Sequence, residues 1–371
     1  MKFPAFKIED YFTQYEFSAK YMMGSSDAES FTVSELLSMA GSDSLSLWNH
    51  LKLGYTESYG LPILREEIAK LYQTINSENI VVSAGAEEGM FIALHLLIEP
   101  GDEVLVVTPA YQSLKEIPRL LGAKLTECSL EWHANKWVFN LEKFADLLTA
   151  KTRLVIMNFP HNPTGYLPTH QEFASILQIV KDHGCYFFCD EVYRLSEQRK
   201  EDCLPAAVDC YDKAISLGVM SKSFGLAGLR IGWVASQDKS WLRSFVSNKN
   251  YTSICNSAPS EVLALIALQN KEKLLNRNLA IAKENLDLLD QFFMRYPSLV
   301  DWYRPSAGYV CFPRLKLQTP IEHFAKQLVD EKDVLILPGT LFDNNANHFR
   351  IGYGRKNLSE ALALFEEFIQ T

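Results

Sequence analysis

From about residue 60 onwards, short apolar runs alternate with stretches whose apolar positions recur at helical spacing, the pattern of βα units laid on a largely parallel sheet. The runs at 80–83, 103–107, 154–158, 186–189 and 214–219 predict buried strands, and 230–235 predicts another that can run antiparallel. Amphipathic helices fit between them at 86–97, 111–121 and 171–183. Pro62, after Gly60, suits the first turn of a helix continuing over 63–71. These elements predict an α/β fold, a mostly parallel seven-stranded sheet with helices on both faces. After Pro259 the texture changes. A long helical run over 261–295 stops at Pro297, and strand-like 309–312, helix 321–330, strands 334–337 and 349–353 and a last helix from Leu358 predict a smaller α+β domain. The expected division is a large domain at 44–258 and a small domain built from both termini, 1–43 and 259–371. With no internal repeat, low-complexity tract or Gly/Ser linker, the two are expected to be packed rather than tethered.

Length supports that division, because 371 residues exceed what one hydrophobic core organises. Hydrophobic residues at 47% and charged residues at 22% describe a soluble globular chain. Its start lacks the charged and apolar segments of a signal peptide, and no apolar run is long enough to span a bilayer, so a cytoplasmic protein without membrane contact is expected. The net charge of −9 argues against nucleic acid and for a small-molecule substrate. The seven cysteines, Cys128, Cys185, Cys189, Cys203, Cys210, Cys255 and Cys311, are scattered, with no C-x-x-C pair and no zinc spacing. They read as reduced thiols, and no metal site is expected.

The strongest local signal is Ser221-Lys222-Ser223-Phe224-Gly225, directly after a predicted strand. A lysine there faces the crevice where open α/β sheets bind ligands, and its amine can form an imine with an aldehyde cofactor. A solvated lysine in a glycine-rich loop is the alternative. Asp190 ends another strand, where a carboxylate can keep a cofactor's pyridine nitrogen protonated; it can equally cap the next turn. Tyr193, three residues on, can donate a phenol hydrogen bond to the cofactor's ring oxygen. Asn162, in Pro160-His161-Asn162-Pro163-Thr164-Gly165, offers an amide to the same oxygen, although Asn-Pro is also an ordinary turn former. The glycine turn at Gly85 opens a helix whose backbone N–H groups near Ala86 and Glu87 can hold a phosphate dianion. Arg230 can add a bidentate contact to it. Tyr111 can stack on a pyridine ring. Far along the chain, Arg350 sits between apolar neighbours on a predicted strand, matched to a substrate carboxylate or to a structural ion pair.

In their order along the chain, these motifs resemble the class I/II aminotransferases, fold-type-I enzymes dependent on pyridoxal 5′-phosphate (PLP), over nearly the whole length. The resemblance implies transfer of an amino group between an amino acid and a 2-oxo acid through a Lys222 Schiff base. It also implies a homodimer in which Tyr55 reaches the phosphate of the neighbouring site, and cis peptide bonds before Pro109 and Pro163. Two departures stand out. Val219 replaces a frequent Ser or Thr phosphate donor, leaving that side of the cup to Ser221 and the backbone. Residues 21–29 stand in place of a glycine-rich substrate segment, with Ser25 a candidate substrate contact and Asp27 and Glu29 either meeting a basic substrate or solvated. Residues 108–114 and 158–163 look somewhat like capreomycidine synthases, which cyclise, so a PLP-dependent lyase, decarboxylase or cyclising synthase is the alternative. A PLP-sensing regulator would need a DNA-binding domain, for which residues 1–40 leave no room.

Overall fold

The computed structural model describes residues 3–16 and 18–370. Its centre is a seven-stranded sheet. In chain order the strands are β1 (Ile80–Ser83), β2 (Glu103–Thr108) and β3 (Lys124–Ser129), then a small separate hairpin of β4 (Glu131–His133) and β5 (Lys136–Val138), followed by β6 (Thr152–Asn158), β7 (Tyr186–Asp190), β8 (Ala214–Val219) and β9 (Gly232–Ser236). The sheet order is β1-β9-β8-β7-β6-β2-β3, with β9 antiparallel to both neighbours and the other pairings parallel.

The apolar runs are continuous because both faces are covered. Along β6, Leu154 and Ile156 enter one core with helix Gly85–Leu97, while Val155 and Met157 enter another with helix His170–His183. The seventh strand is β3, which no apolar run announces. It lies at the sheet edge, and only Cys128, next to its last residue, is buried. The antiparallel strand near 230–235 is β9, one or two residues later than the pattern suggests.

Three expectations change in detail. The helix placed at 111–121 is Ser113–Leu120, which leaves Tyr111 on the loop before it. The run 261–295 is two helices, Ala258–Gln269 and Lys271–Arg295. Between them Asn270 donates from Nδ2 to the carbonyls of Ile266 and Met39, both at 3.0 Å, an alternative to continuing the helix. The strand placed at 334–337 is Leu337–Pro338, while Val334 bridges Tyr21. Leu337–Pro338 and Val310–Cys311 flank Phe349–Gly352 in a three-stranded antiparallel sheet, with helices Ile321–Lys332 and Leu358–Gln370 nearby. A helix the pattern did not suggest, Lys7–Tyr15, opens the described chain.

Candidate active site

Parallel pairing sets Asn158, at the end of β6, opposite Asp190, at the end of β7, and Asp190 opposite Leu217 of β8. Whatever follows each of these strands therefore emerges on one rim. From that rim Asn162, Asp190, Tyr193, Ser221 and Lys222 line a cavity of about 560 Å³, a volume ordinary for small-molecule sites. Ala86 and Glu87 join from the first turn of helix Gly85–Leu97, with Tyr111, Arg230, Ser25 and Arg350. Gly85 packs against Arg230. A Cβ at Gly85 would fall 2.6 Å from the guanidinium Nη2, and its φ of +81° is one that a side chain resists. Tyr55 does not line the cavity; it is 91% exposed.

Lys222 Nζ donates to Ser26 Oγ at 2.8 Å. Asp190 is buried, and burial pushes its carboxyl up to about 7, although the Val192 N–H and the Lys222 charge pull the other way. The next residue serves the opposite purpose. Glu191 accepts from the Ala207 N–H at 2.7 Å and from Ser216 Oγ at 2.8 Å, anchoring the turn that presents Asp190. Tyr193 Oη donates to the Ser26 carbonyl at 3.0 Å.

Arg350 is 1% exposed. Its Nε and Nη2 donate to the Gly24 carbonyl at 3.1 and 2.8 Å, and Nη1 donates to Asn162 Oδ1 at 3.1 Å. These partners are neutral, so the structural ion pair allowed by the sequence is not what holds it. Burial lowers its pKa from the ordinary arginine value. The acidic pair of the N-terminal segment is engaged: Asp27 is bridged to Arg355 at 3.0 Å, and Glu29 accepts from the Lys356 N–H at 3.0 Å. Cis peptide bonds precede Pro109 and Pro163, and also Pro160.

Several residues in or beside the cavity escaped sequence reasoning. Ser26 and Gly24 belong to the segment that yielded only Ser25, and their contacts with Lys222 and Arg350 run largely through backbone atoms or a single hydroxyl. Phe6, Ile8, Glu9, Phe12 and Glu16 come from the first helix or its flanks. The spacing of Ile8 and Phe12, four residues apart, was the signal available for that helix.

These groups fit PLP. Among the described residues no cation is bonded to the buried carboxyl of Asp190, which suits a pyridinium N–H. Among the described residues Arg230 makes one long contact, at 3.4 Å to the Ala227 carbonyl, which leaves donors open beside the helix start at Gly85. Lys222 is an amine in the same cavity. A strand-end lysine, a buried acid and a glycine-cradled arginine on this sheet define a fold-type-I PLP enzyme.

Residues 43–364 match the family model for aminotransferase class I and II, and the chain belongs to that family. A probable aspartate aminotransferase of Methanocaldococcus jannaschii is 28% identical over 335 residues, covering 86% of each chain. A capreomycidine synthase of Streptomyces vinaceus is 28% identical over 99% of this chain and 94% of its own. Among solved structures, a PLP-dependent aminotransferase from Streptococcus suis superposes with a TM-score of 0.93 at 31% identity, over 100% of this chain and 98% of that one. With further aspartate aminotransferases among the relatives, the chain is a PLP-dependent aminotransferase acting on amino acids and 2-oxo acids, and the lyase or cyclase alternative is not favoured. No helix among the described residues is long and apolar enough to cross a membrane.

Proposed function

We propose that Lys222 carries PLP and moves the proton in aminotransfer, that Asp190, Asn162, Tyr193, Arg230 and the helix start at Gly85 hold the cofactor, and that Arg350 holds the substrate carboxylate. The observation carrying this reading is the convergence of Lys222, Arg350 and the buried Asp190 on one cavity. When bound, the cofactor supplies a ring that accepts the electron pair left as a bond at the substrate Cα breaks.

The chain's own groups do the rest. Asp190 is near 7 through burial, and a cationic N–H against it favours the full carboxylate. Asn162 and Tyr193 supply an amide and a phenol for the ring oxygen. Arg230 offers a bidentate contact to the phosphate, joined by the N–H groups of Ala86 and Glu87. Ser221 faces the same cavity from beside Val219. Ser26 Oγ orients the Lys222 amine, which would take the proton from the substrate Cα. Arg350, pinned by Gly24 and Asn162, fixes the carboxylate and so the direction of the Cα–H bond, with Ser25 alongside.

A homodimer completes this reading, with Tyr55 reaching the partner's phosphate site. Tyr55 and Tyr251 are each 91% exposed and Leu53 is 84% exposed. Their loops are tied together by Thr56 Oγ1 donating to the Asn256 carbonyl at 2.9 Å and Lys249 Nζ donating to the Ser58 carbonyl at 2.9 Å. So much exposed aromatic and apolar surface on one pair of loops favours a covering partner. The seven free thiols favour a cytoplasmic setting.

Borohydride treatment of the purified, PLP-loaded protein followed by peptide mass mapping tests the central assignment. Reductive attachment of the cofactor to Lys222, absent in Lys222→Ala, is expected; attachment elsewhere, or none, overturns it.

A further inference from the structure

Beyond the proposed cofactor contacts and the Arg350 anchor, the cavity lining extends to the first helix and its flanks. Glu9, Phe12 and Glu16 all line the cavity. They follow one another at spacings of three and four residues around helix Lys7–Tyr15 and its C-cap, so they form one stripe with the aromatic ring between two carboxylates. Glu9 accepts from Tyr111 Oη at 2.9 Å, which faces it toward the cavity and orients one of its oxygens. Among the described residues, neither Glu9 nor Glu16 has a basic partner within salt-bridge distance.

The basic residues lining the same cavity are otherwise engaged. Arg355 is bridged to Asp27, and Lys222, Arg230 and Arg350 belong to the proton, the phosphate and the α-carboxylate in the reading above. A substrate with a second carboxylate would therefore meet Glu9 and Glu16 with no free cation to receive it. A side chain with an apolar stem and a cationic end would lay its stem along Phe6, Ile8 and Phe12 and its charge between the two glutamates.

The geometry points to an amino donor of this kind: Glu9 and Glu16 select an amino acid whose side chain ends in a cation. This inference rests on the proposed roles of Lys222 and Arg350. Because both glutamates are exposed, each pairing is screened and contributes modestly, so together they favour the cationic donor by roughly 2- to 30-fold.

The test uses PLP-loaded enzyme without any oxo acid, mixed with L-ornithine, L-lysine, L-norleucine, L-aspartate or L-glutamate while the cofactor absorbance reports its conversion to the amine form. The dependence of rate on concentration separates apparent affinity from maximal rate. Ornithine or lysine is expected to half-saturate at the lowest concentration. Glu9→Gln/Glu16→Gln should raise that concentration by roughly 2- to 30-fold and leave norleucine unchanged. Both glutamates are on the surface of the helix, so the double variant keeps its fold, checked by its melting temperature. Conversion best with aspartate or glutamate, or a preference for ornithine and lysine untouched by the double variant, overturns this inference and leaves the aminotransfer reading standing. No conversion with any amino acid overturns both.

Discussion

Replacing Arg350 with methionine separates substrate anchoring from chemistry. The guanidinium is 1% exposed and fixed by three hydrogen bonds to Gly24 and Asn162. Methionine fills similar space with no charge. A bidentate contact to a carboxylate comprises two charge-assisted hydrogen bonds at about 1.5–3 kcal/mol each, about 3–6 kcal/mol together, so kcat/KM for an amino acid should fall by roughly 10²- to 10⁴-fold. An amine with the same side chain but no carboxylate never uses that contact and should keep its rate. The variant also leaves the Gly24 carbonyl and Asn162 Oδ1 without their donor, so a stability loss of about 1–3 kcal/mol is expected. The assay is the half-reaction with an amino acid and with its decarboxylated amine, alongside thermal melts. Equal loss for the two substrates would mean that Arg350 acts through structure alone, and the anchoring argument would fail.

Asp190 makes a pH prediction. Burial holds its carboxyl at about 7 in the cofactor-free fold, against about 3.9 in an unfolded chain. The folded state keeps a proton that the unfolded state releases over that window, so this group's contribution lowers cofactor-free stability as pH rises from about 4 to 7, with the full penalty remaining above. Asp190→Asn should therefore melt higher than wild type at pH 8 and lose that advantage by pH 4; the same difference at both pH values refutes the cause. Val219→Thr restores a hydroxyl beside the expected phosphate position and should tighten PLP retention by about 1.5–3 kcal/mol, measured as cofactor Kd. An unchanged Kd means another group already fills that place. If Tyr55 completes a neighbour's site, fully active protein should sediment as a dimer and Tyr55→Ala should weaken PLP binding; an active monomer contradicts this.

The sequence revealed the parts of the fold that are buried on both sides. Strand β8 begins and ends where its apolar run does, because continuous burial leaves a continuous pattern, and the last helix starts at Leu358 as expected, because its buried Leu358, Ala361, Leu362 and Phe365 recur at helical spacing. Strand β3 was hidden for the opposite reason: an edge strand with one buried residue carries almost no pattern to read. At the site, Lys222, Asp190 and Asn162 were legible because each follows a readable strand. Ser26 and Gly24 were not, since their parts depend on a hydroxyl and a carbonyl brought in from 196 and 326 residues away. A carbonyl acceptor is common to every residue, so composition does not reveal which one will matter.

The reversed direction of β9 fixes something else. Gly232 at its start lies opposite both Val219 and Ser83, so the chain leaves β8 and enters β9 at the same rim. Had β9 run parallel, its first residue would begin at the far edge of the sheet and need a helix to return it. Instead a single short loop carries the amine at one end and the guanidinium at the other. The spacing of Lys222 and Arg230 is thus set by that loop and by what packs on it: Phe224 and Leu226 enter a core, the Ser223 carbonyl accepts from Asn278 Nδ2 at 3.0 Å, and Arg230 lies against Gly85. One residue inserted between them would displace both groups at once, with no change to either strand.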